Sequence, residues 1–555
     1  MYLRTTKRRN KDGSEVRYLQ LAHNEWDASA GQSVVRVIHS FGREDRVDRD
    51  GIVRLIGSLS RLVGGGDNAA GEVADLEFVS SVPMGGAYAL DGLWRRLQIP
   101  GVITGLAKGR RFDAARVERV LFALVANRAL VPVSKLAATD WVRDRVHIDG
   151  LDDVGVDECY RAMDWLLTVE TDLAEAVYWS VADLLNLEVD LLFFDTTSTY
   201  FETDRADEPD GEATVGFRTY GKSKDHRPDL PQIVIGMAVT RTGIPIRVWC
   251  WPGNTGDQAL IRQAKNDLRA WRLGRVVWVA DRGFSSEENR RELQRGGGHY
   301  IIGEKLRGES VEAAAALARQ GRYKTVTGNL RIKEVVIDDA TMRDRFVVCL
   351  NPEQAERDAA IRGQVIEQLE GEIAGTDKWT RDRRVELAGK VRTKKTFNRF
   401  LRVTPGGLLR INQAAIRDEE RLDGKYLLRS SDPTLSAEDI ALGYKQLLEV
   451  ERGWRDMKST LDLRPVYHRL EHRIRAHVTL CWLALLLIRL TETATGDTWR
   501  NARHHLDQLH LGTFEGPAGT IARRTATTRP QAGILSDLDL PDPPQFSVLA
   551  PTPNT

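Results

Sequence analysis

Two apolar runs in this chain stop on aspartate. Leu191-Leu192-Phe193-Phe194 ends at Asp195, and Val277-Trp278-Val279-Ala280 ends at Asp281. Runs this short and this rich in Val, Leu and Phe, without polar alternation, fit strands buried on both faces. Each aspartate then stands where a buried strand comes out of the core. Taken singly, that is an ordinary place for a strand to end. A third acid, Glu451, lies in a helical run from Ala437 to about Thr460, with Tyr444 before it and Lys458 after it at the same heptad spacing. One heptad is nearly two helical turns, so the three side chains share a face with about 20° of drift.

Two strand-end carboxylates and one helical carboxylate can build a site for phosphodiester chemistry. Cutting a phosphodiester requires stabilising the attacking and the leaving oxygen, which two divalent ions roughly 3.5–4 Å apart can do together. Mg²⁺ favours hard oxygen ligands and keeps several waters, so Asp195, Asp281 and Glu451 would suffice as protein ligands, with Mn²⁺ able to substitute. Tyr444 and Lys458 flank Glu451 and could grip phosphates. Arg452 and Arg455 lie beside them and Arg282 follows Asp281, while Arg464, His468, Arg469, His472, Arg473 and Arg475 extend a cationic zone. Contacts of this type give affinity and position, not sequence readout. A solvated helix can carry the same mixture, so the reading rests on the three acids together.

Composition sets limits. A chain of 555 residues is too large for one hydrophobic core and suggests several domains. Its formal net charge is only +1, so any DNA-binding surface is local. Cys159, Cys250, Cys349 and Cys481 are widely spaced and form neither a CxxC pair nor a zinc pattern, which fits buried thiols in a reducing compartment. No apolar segment follows Met1. The longest apolar run, Val478 to Leu490, contains Arg489 and falls short of the ~20 residues a membrane span needs, so it reads as a core helix. A cytoplasmic, nucleoid-associated protein without a membrane partner is expected.

The chain divides into six stretches. Residues 1–65 alternate as a β-hairpin, with strands near Val16–Ala22 and Ser33–His39. Residues 66–185 are mainly helical, a candidate DNA-end-binding domain in which helices around Pro132 could form a helix-turn-helix or simply pack. Residues 186–304 read as α/β. Residues 305–435 look like an insertion with its own sheet, containing a basic segment from Lys378 to Arg399. Residues 436–495 carry the Glu451 helix. Residues 496–555 end in a proline-rich tail expected to lack order.

On these residues the chain resembles the bacterial insertion-sequence DDE transposases of the IS4-like group, and most of all their IS1634 branch. Phe194-Asp195-Thr196-Thr197 is similar to the family's first motif and Asp281-Arg282-Gly283-Phe284 to its second. Its third, a Tyr, Arg, Glu and Lys signature, places Tyr444, Glu451 and Lys458, with Leu447 standing where the arginine is expected. The stretches Gly221 to Leu230 and Pro252 to Asp257 are similar too. The resemblance implies an α/β fold: an RNase H-like catalytic core interrupted by a mostly β insertion, preceded by the β-hairpin and the helical domain. It implies a metal-dependent transposase with two Mg²⁺ ions, acting on double-stranded DNA at terminal inverted repeats and on target DNA. A homodimer would hold the paired ends. Cut-and-paste transposition through a DNA hairpin is implied as well, with Trp379 or Tyr323 as candidate stacking platforms for a displaced base.

Two other functions remain open. A stand-alone metal-dependent DNA nuclease would share the three acids but would not join strands. A catalytically inactive DNA-binding remnant would have no use for Asp195, Asp281 and Glu451 all intact.

Overall fold

The computed structural model describes residues 2–9, 15–27, 32–43, 47, 52, 56 and 76–551, less 186–189, 210–215, 272, 274, 308–309, 339–342 and 517–518. It divides into two compact units: residues 1–96, 103–162 and 490–555, and residues 97–102 and 163–489.

The second unit holds a nine-stranded sheet. Its strands are β1 (Leu191–Tyr200), β2 (Gln232–Val239), β3 (Pro245–Pro252), β4 (Val277–Ala280), β5 (His299–Glu304), β6 (Lys324–Thr327), β7 (Leu330–Asp338), β8 (Arg343–Leu350) and β9 (Lys425–Ser430). Their order is β6-β7-β8-β9-β5-β4-β1-β2-β3. Strands β1, β2 and β3 pair antiparallel, whereas β1–β4 and β4–β5 pair parallel. This five-strand half is the RNase H-like core. Strand β1 lies at its centre, and Leu191 to Phe194 are almost fully buried, as the apolar run requires. The parallel pairings need crossovers, supplied by α1 (Asp257–Arg269) and α2 (Glu287–Gln294).

The insertion is β at its edges and helical in its middle. Strands β6 to β9 do not form a sheet of their own, because β9 pairs with β5 and so extends the core sheet. A buried network fastens this join: Arg429 Nε donates to Asp344 Oδ2 at 2.7 Å and Tyr300 Oη donates to Asp344 Oδ1 at 2.9 Å. Between β8 and β9 the chain forms helices at Pro352–Ile373, Arg381–Thr393, Lys395–Phe400 and Gln413–Glu420, with one small hairpin of Leu401–Val403 and Leu409–Ile411. The expectation of a mostly β insertion fails here. The segment is rich in Ala, Glu, Gln, Lys and Arg, which favour helix, and Leu369, Ala388, Val391, Phe397 and Phe400 give it a core of its own.

Beyond β9 come α3 (Ala437–Lys445), α4 (Leu448–Ser459) and α5 (Glu471–Thr495). Ser436 and Asp439 form a capping box that starts α3. Helix α4 presses on the sheet so closely that a Cβ on Gly453 would come 2.6 Å from Met237 Cε. By length and composition α5 could cross a membrane, but 94% of its apolar window is buried inside the protein, as expected of a core helix.

In the first unit the expected amino-terminal hairpin is part of a three-stranded antiparallel sheet of Tyr2–Arg9, Glu15–Asp27 and Gln32–Arg43. The helices Ala114–Leu130 and Lys135–Asp144 meet at 95°, a helix-turn-helix angle. The second helix is not cation-rich, however, since its Arg143 is tied to Asp140 and Asp144. Up to Pro551 the proline-rich end is ordered where disorder was expected; residues 552–555 lie outside the described residues. Phe546–Pro551 pairs with Gly519–Arg524, which pairs with His510–Gly516 and through it with Glu77–Pro83. The prolines at 541, 543 and 544 precede the strand and Pro551 closes it, so the ladder loses few N–H donors.

Candidate active site

Asp195 sits in the middle of the central strand, and its side chain is 22% exposed. Burial pushes its carboxyl up to about 6; the Lys224 ammonium works against that shift, and the negative charges of Asp281 and Asp257 reinforce it. Asp281 follows β4 and caps a short 3₁₀ turn, Arg282–Phe284, by accepting from the Gly283 amide. The turn is anchored below by the buried Phe284 ring, 5.5 Å from Phe194. It is anchored above by Gln258, which donates to the Gly283 carbonyl and accepts from Asn289 Nδ2 at 3.1 Å.

Tyr444 stands within electrostatic reach of all three acids. A Cβ on Gly303 would lie 2.5 Å from its hydroxyl oxygen and 3.3 Å from the Arg282 backbone nitrogen, so glycine makes room for the phenol above the strand ends. The phenol pKa is raised, first by burial, then by Asp281, and further by Glu451 and Asp195, while Arg282 opposes. Three acids separated widely in sequence thus act on one hydroxyl. Among the described residues, no group of three or more His, Cys, Asp or Glu side chains is drawn together closely enough to hold a metal ion.

The single helix expected from Ala437 to Thr460 is two. Helix α3 ends at Lys445 and α4 begins at Leu448. At the junction the Leu447 amide bonds the Tyr444 carbonyl at 3.1 Å and the Glu449 amide bonds Gln446 at 2.9 Å, both i to i−3 contacts. That tight turn takes Tyr444 off the helix that carries Glu451 and Lys458. Glu451 is exposed, as are Arg452, Arg455 and Arg282.

Lys458 is more enclosed. Its Nζ donates to Thr197 Oγ1 at 2.7 Å and to Asp225 Oδ1 at 2.8 Å, while Asp225 also pairs with Arg464 at 2.8 Å. Burial lowers the lysine pKa and Asp225 opposes that. The ammonium therefore ties α4 to β1, and a phosphate would have to displace a protein partner. Both expected stacking rings carry a cation on one face. Arg383 covers Trp379 at 3.9 Å, and Tyr323 packs against the Phe346 and Val348 cluster with Lys333 over its ring.

Motif spacing assigns no role to Lys224, Asp225 and Asp257, and Arg464 enters only as part of the cationic zone. All lie in polar loops or at a helix start, where side-chain direction depends on the folded path. Lys224, Asp225 and Asp257 do fall within the two stretches similar to the transposase family.

Residues 198–487 match the family described as transposase DDE domain, which takes in Asp281 and Glu451 and begins just past Asp195. Residues 3–71 match the family described as the IS1634 family transposase amino-terminal domain. The chain is a DDE transposase of the IS1634 branch. Transposases of this kind bind DNA, cleave it and transfer the cut strand. No curated protein matches the chain. Among solved structures, a cryo-EM synaptic complex of piggyBac transposase with hairpin DNA is similar at 11% identity and a TM-score of 0.35, covering 76% of this chain and 78% of that one.

DDE transposases generally work with divalent metal ions. The carboxylates of Asp195, Asp281 and Glu451 carry the hard oxygen atoms that Mg²⁺ or Mn²⁺ prefers. The half-buried Asp195 carboxylate has the Lys224 ammonium 3.9 Å away and would gain further from a cation beside it.

Proposed function

We propose that this transposase excises its element by cut and paste through a hairpin intermediate, using Asp195, Asp281 and Glu451 to hold two Mg²⁺ ions, with Mn²⁺ as a substitute. The observation that carries this reading is the parallel pairing of Phe194 with Ala280, which brings Asp195 and Asp281 to the same level of neighbouring strands. Bound there, the ions would supply an activated attacking oxygen and stabilise the leaving one.

The protein's own residues do the rest. Asp195 is fixed by the central strand and Asp281 by its capped turn, so two ligands are preorganised. Glu451 is exposed on α4 and completes the set when DNA phosphate enters. The Tyr444 hydroxyl orients that phosphate as a donor. Exposed Arg282, Arg452 and Arg455 attract the flanking backbone, while Lys458 holds the Glu451 helix in register with β1. An open cleft of about 540 Å³ lies beside this surface, lined by Arg205, His468 and Arg469 together with Glu202 and the Arg218–Asp207 ion pair. The substrate is double-stranded DNA bearing the element's terminal inverted repeats, two ends being held by a homodimer before insertion into target DNA.

The test is a duplex carrying the element's own ends, labelled on each strand in turn, incubated with Mg²⁺ or with EDTA. A product running at about twice the single-strand length on a denaturing gel, seen only with Mg²⁺, is expected. Linear double-strand breaks without that species would refute the hairpin route. Cleavage without joined products would favour the stand-alone nuclease.

A further inference from the structure

Lys224 stands where a cation would stand. Its Nζ donates to the Thr196 carbonyl at 2.7 Å and to Thr196 Oγ1 at 2.6 Å. It lies 3.5 Å from Asp257 Oδ2 and 3.9 Å from Asp195 Oδ1. Thr196 Oγ1 in turn donates to Asp257 Oδ1 at 2.7 Å. One ammonium, one hydroxyl and two carboxylates therefore form a closed circuit on the catalytic strand. The loop holding Lys224 is pinned independently, since its amide donates to Ser198 Oγ at 2.8 Å. Asp257 is fixed as the first residue of α1, and its neighbour Gln258 braces the turn that carries Asp281.

We propose that Lys224 is the resident counter-ion of the DNA-free site, holding Asp257 as a fourth carboxylate beside Asp195 and competing with the divalent cation for that place. The inference rests on the metal reading above. Side-chain exposures of 35%, 31% and 22% for Lys224, Asp257 and Asp195 leave the circuit reachable by an ion from solvent. Two carboxylates facing one site repel each other, and a nearby positive charge relieves that repulsion. A lysine does so without a divalent ion, at the cost of opposing that ion's entry. Asp257 adds the negative charge that offsets this opposition. Lys224 is thus a positioning residue: it acts through Thr196, Asp195 and Asp257.

A residue that only braced the loop would, when removed, leave metal affinity unchanged or weaken it. A competing cation predicts the reverse. Mn²⁺ binding to the full-length, DNA-free protein is read by the loss of the free-ion electron paramagnetic resonance signal. Lys224→Met should bind Mn²⁺ more tightly than wild type, on the order of tenfold. Lys224→Arg, which keeps the charge, should stay within about twofold on the same charge argument. Asp257→Asn should bind on the order of tenfold more weakly. Unchanged or weaker binding in Lys224→Met, with its thermal unfolding midpoint retained, overturns the proposal. So does unchanged binding in Asp257→Asn. Asp281→Asn measured alongside separates the two readings: if it binds Mn²⁺ as wild type does, the three-acid metal site itself is wrong, whatever Lys224 does.

Discussion

Lys458 and Thr197, on different elements, share a 2.7 Å hydrogen bond between Nζ and Oγ1. Thr197 lies two residues along β1 from Asp195, so this bond sets the helix of Glu451 against the strand of Asp195. Replacing Lys458 with methionine should cost about 1.5–3 kcal/mol, the range for hydrogen bonds to charged groups, read as a lower urea midpoint. The salt dependence of DNA affinity should keep its slope, because the ammonium is already neutralised by Asp225. A slope reduced by about one charge would instead make Lys458 a phosphate contact.

Asp344 is the centre of the join between insertion and core, with Arg429 and Tyr300 both directed at it. Its side chain and that of Arg429 are only 3% and 4% exposed. Asp344→Ala leaves a buried guanidinium short of its partner, and a loss of about 3–5 kcal/mol is expected in equilibrium unfolding. A loss below about 1 kcal/mol, the range of surface pairs, would show that water reaches the network.

Asp195 should make folding pH-dependent in an unusual direction. With its folded pKa raised to about 6, the native state keeps a proton that the unfolded chain gives up near 3.8. The native state therefore binds more protons between those values, and stability falls as pH rises through that window. The difference of about two pH units corresponds to at most about 3 kcal/mol, less what partial exposure returns. Asp195→Asn should consequently raise the unfolding midpoint at pH 8 and leave it unchanged at pH 3.5. An equal gain at both pH values would mean that the carboxyl is not desolvated.

Gly303 is the contact that lets Tyr444 approach the acids. A methyl group there would fall 2.5 Å from the tyrosine oxygen. Gly303→Ala should displace the hydroxyl and slow Mg²⁺-dependent nicking by on the order of 100-fold, the scale of a misplacement of about 1 Å. DNA binding, which relies on the dispersed arginines, should persist. Unaltered nicking would remove Tyr444 from the mechanism.

The strands that carry Asp195 and Asp281 were legible in the sequence because backbone periodicity exposes them. The burial of Leu191 to Phe194 and Val277 to Ala280 follows from their composition, and Asp281 stands at its strand end as expected, but β1 runs on through the buried Thr196 to Thr199, so Asp195 lies mid-strand. The break at Gln446 and Leu447 was not legible, since i to i−3 bonds from the amides of Gln446, Leu447, Glu449 and Val450 replace helical ones with no Gly or Pro at the break to mark it. Lys224 and Asp257 were hidden for a different reason: they meet Asp195 only through the path of two loops. The proline-rich end misled because prolines beside a strand resemble prolines in a disordered tail. In the insertion, the strands near 323–349 were visible, but their pairing with β5 through β9 is a long-range choice that no local pattern carries.

Asp281 is proposed to bind, with Asp195 and Glu451, the metal that cuts DNA. Asp281→Cys tests it most directly, because a thiolate is a poor ligand for Mg²⁺ and a better one for Mn²⁺. Nicking of a labelled end-containing duplex is measured for this variant with each ion, beside Asp281→Ala. The account predicts no detectable nicking by Asp281→Cys in Mg²⁺, recovery in Mn²⁺, and none by Asp281→Ala in either ion. Mg²⁺-dependent nicking by Asp281→Ala at the wild-type rate would contradict it.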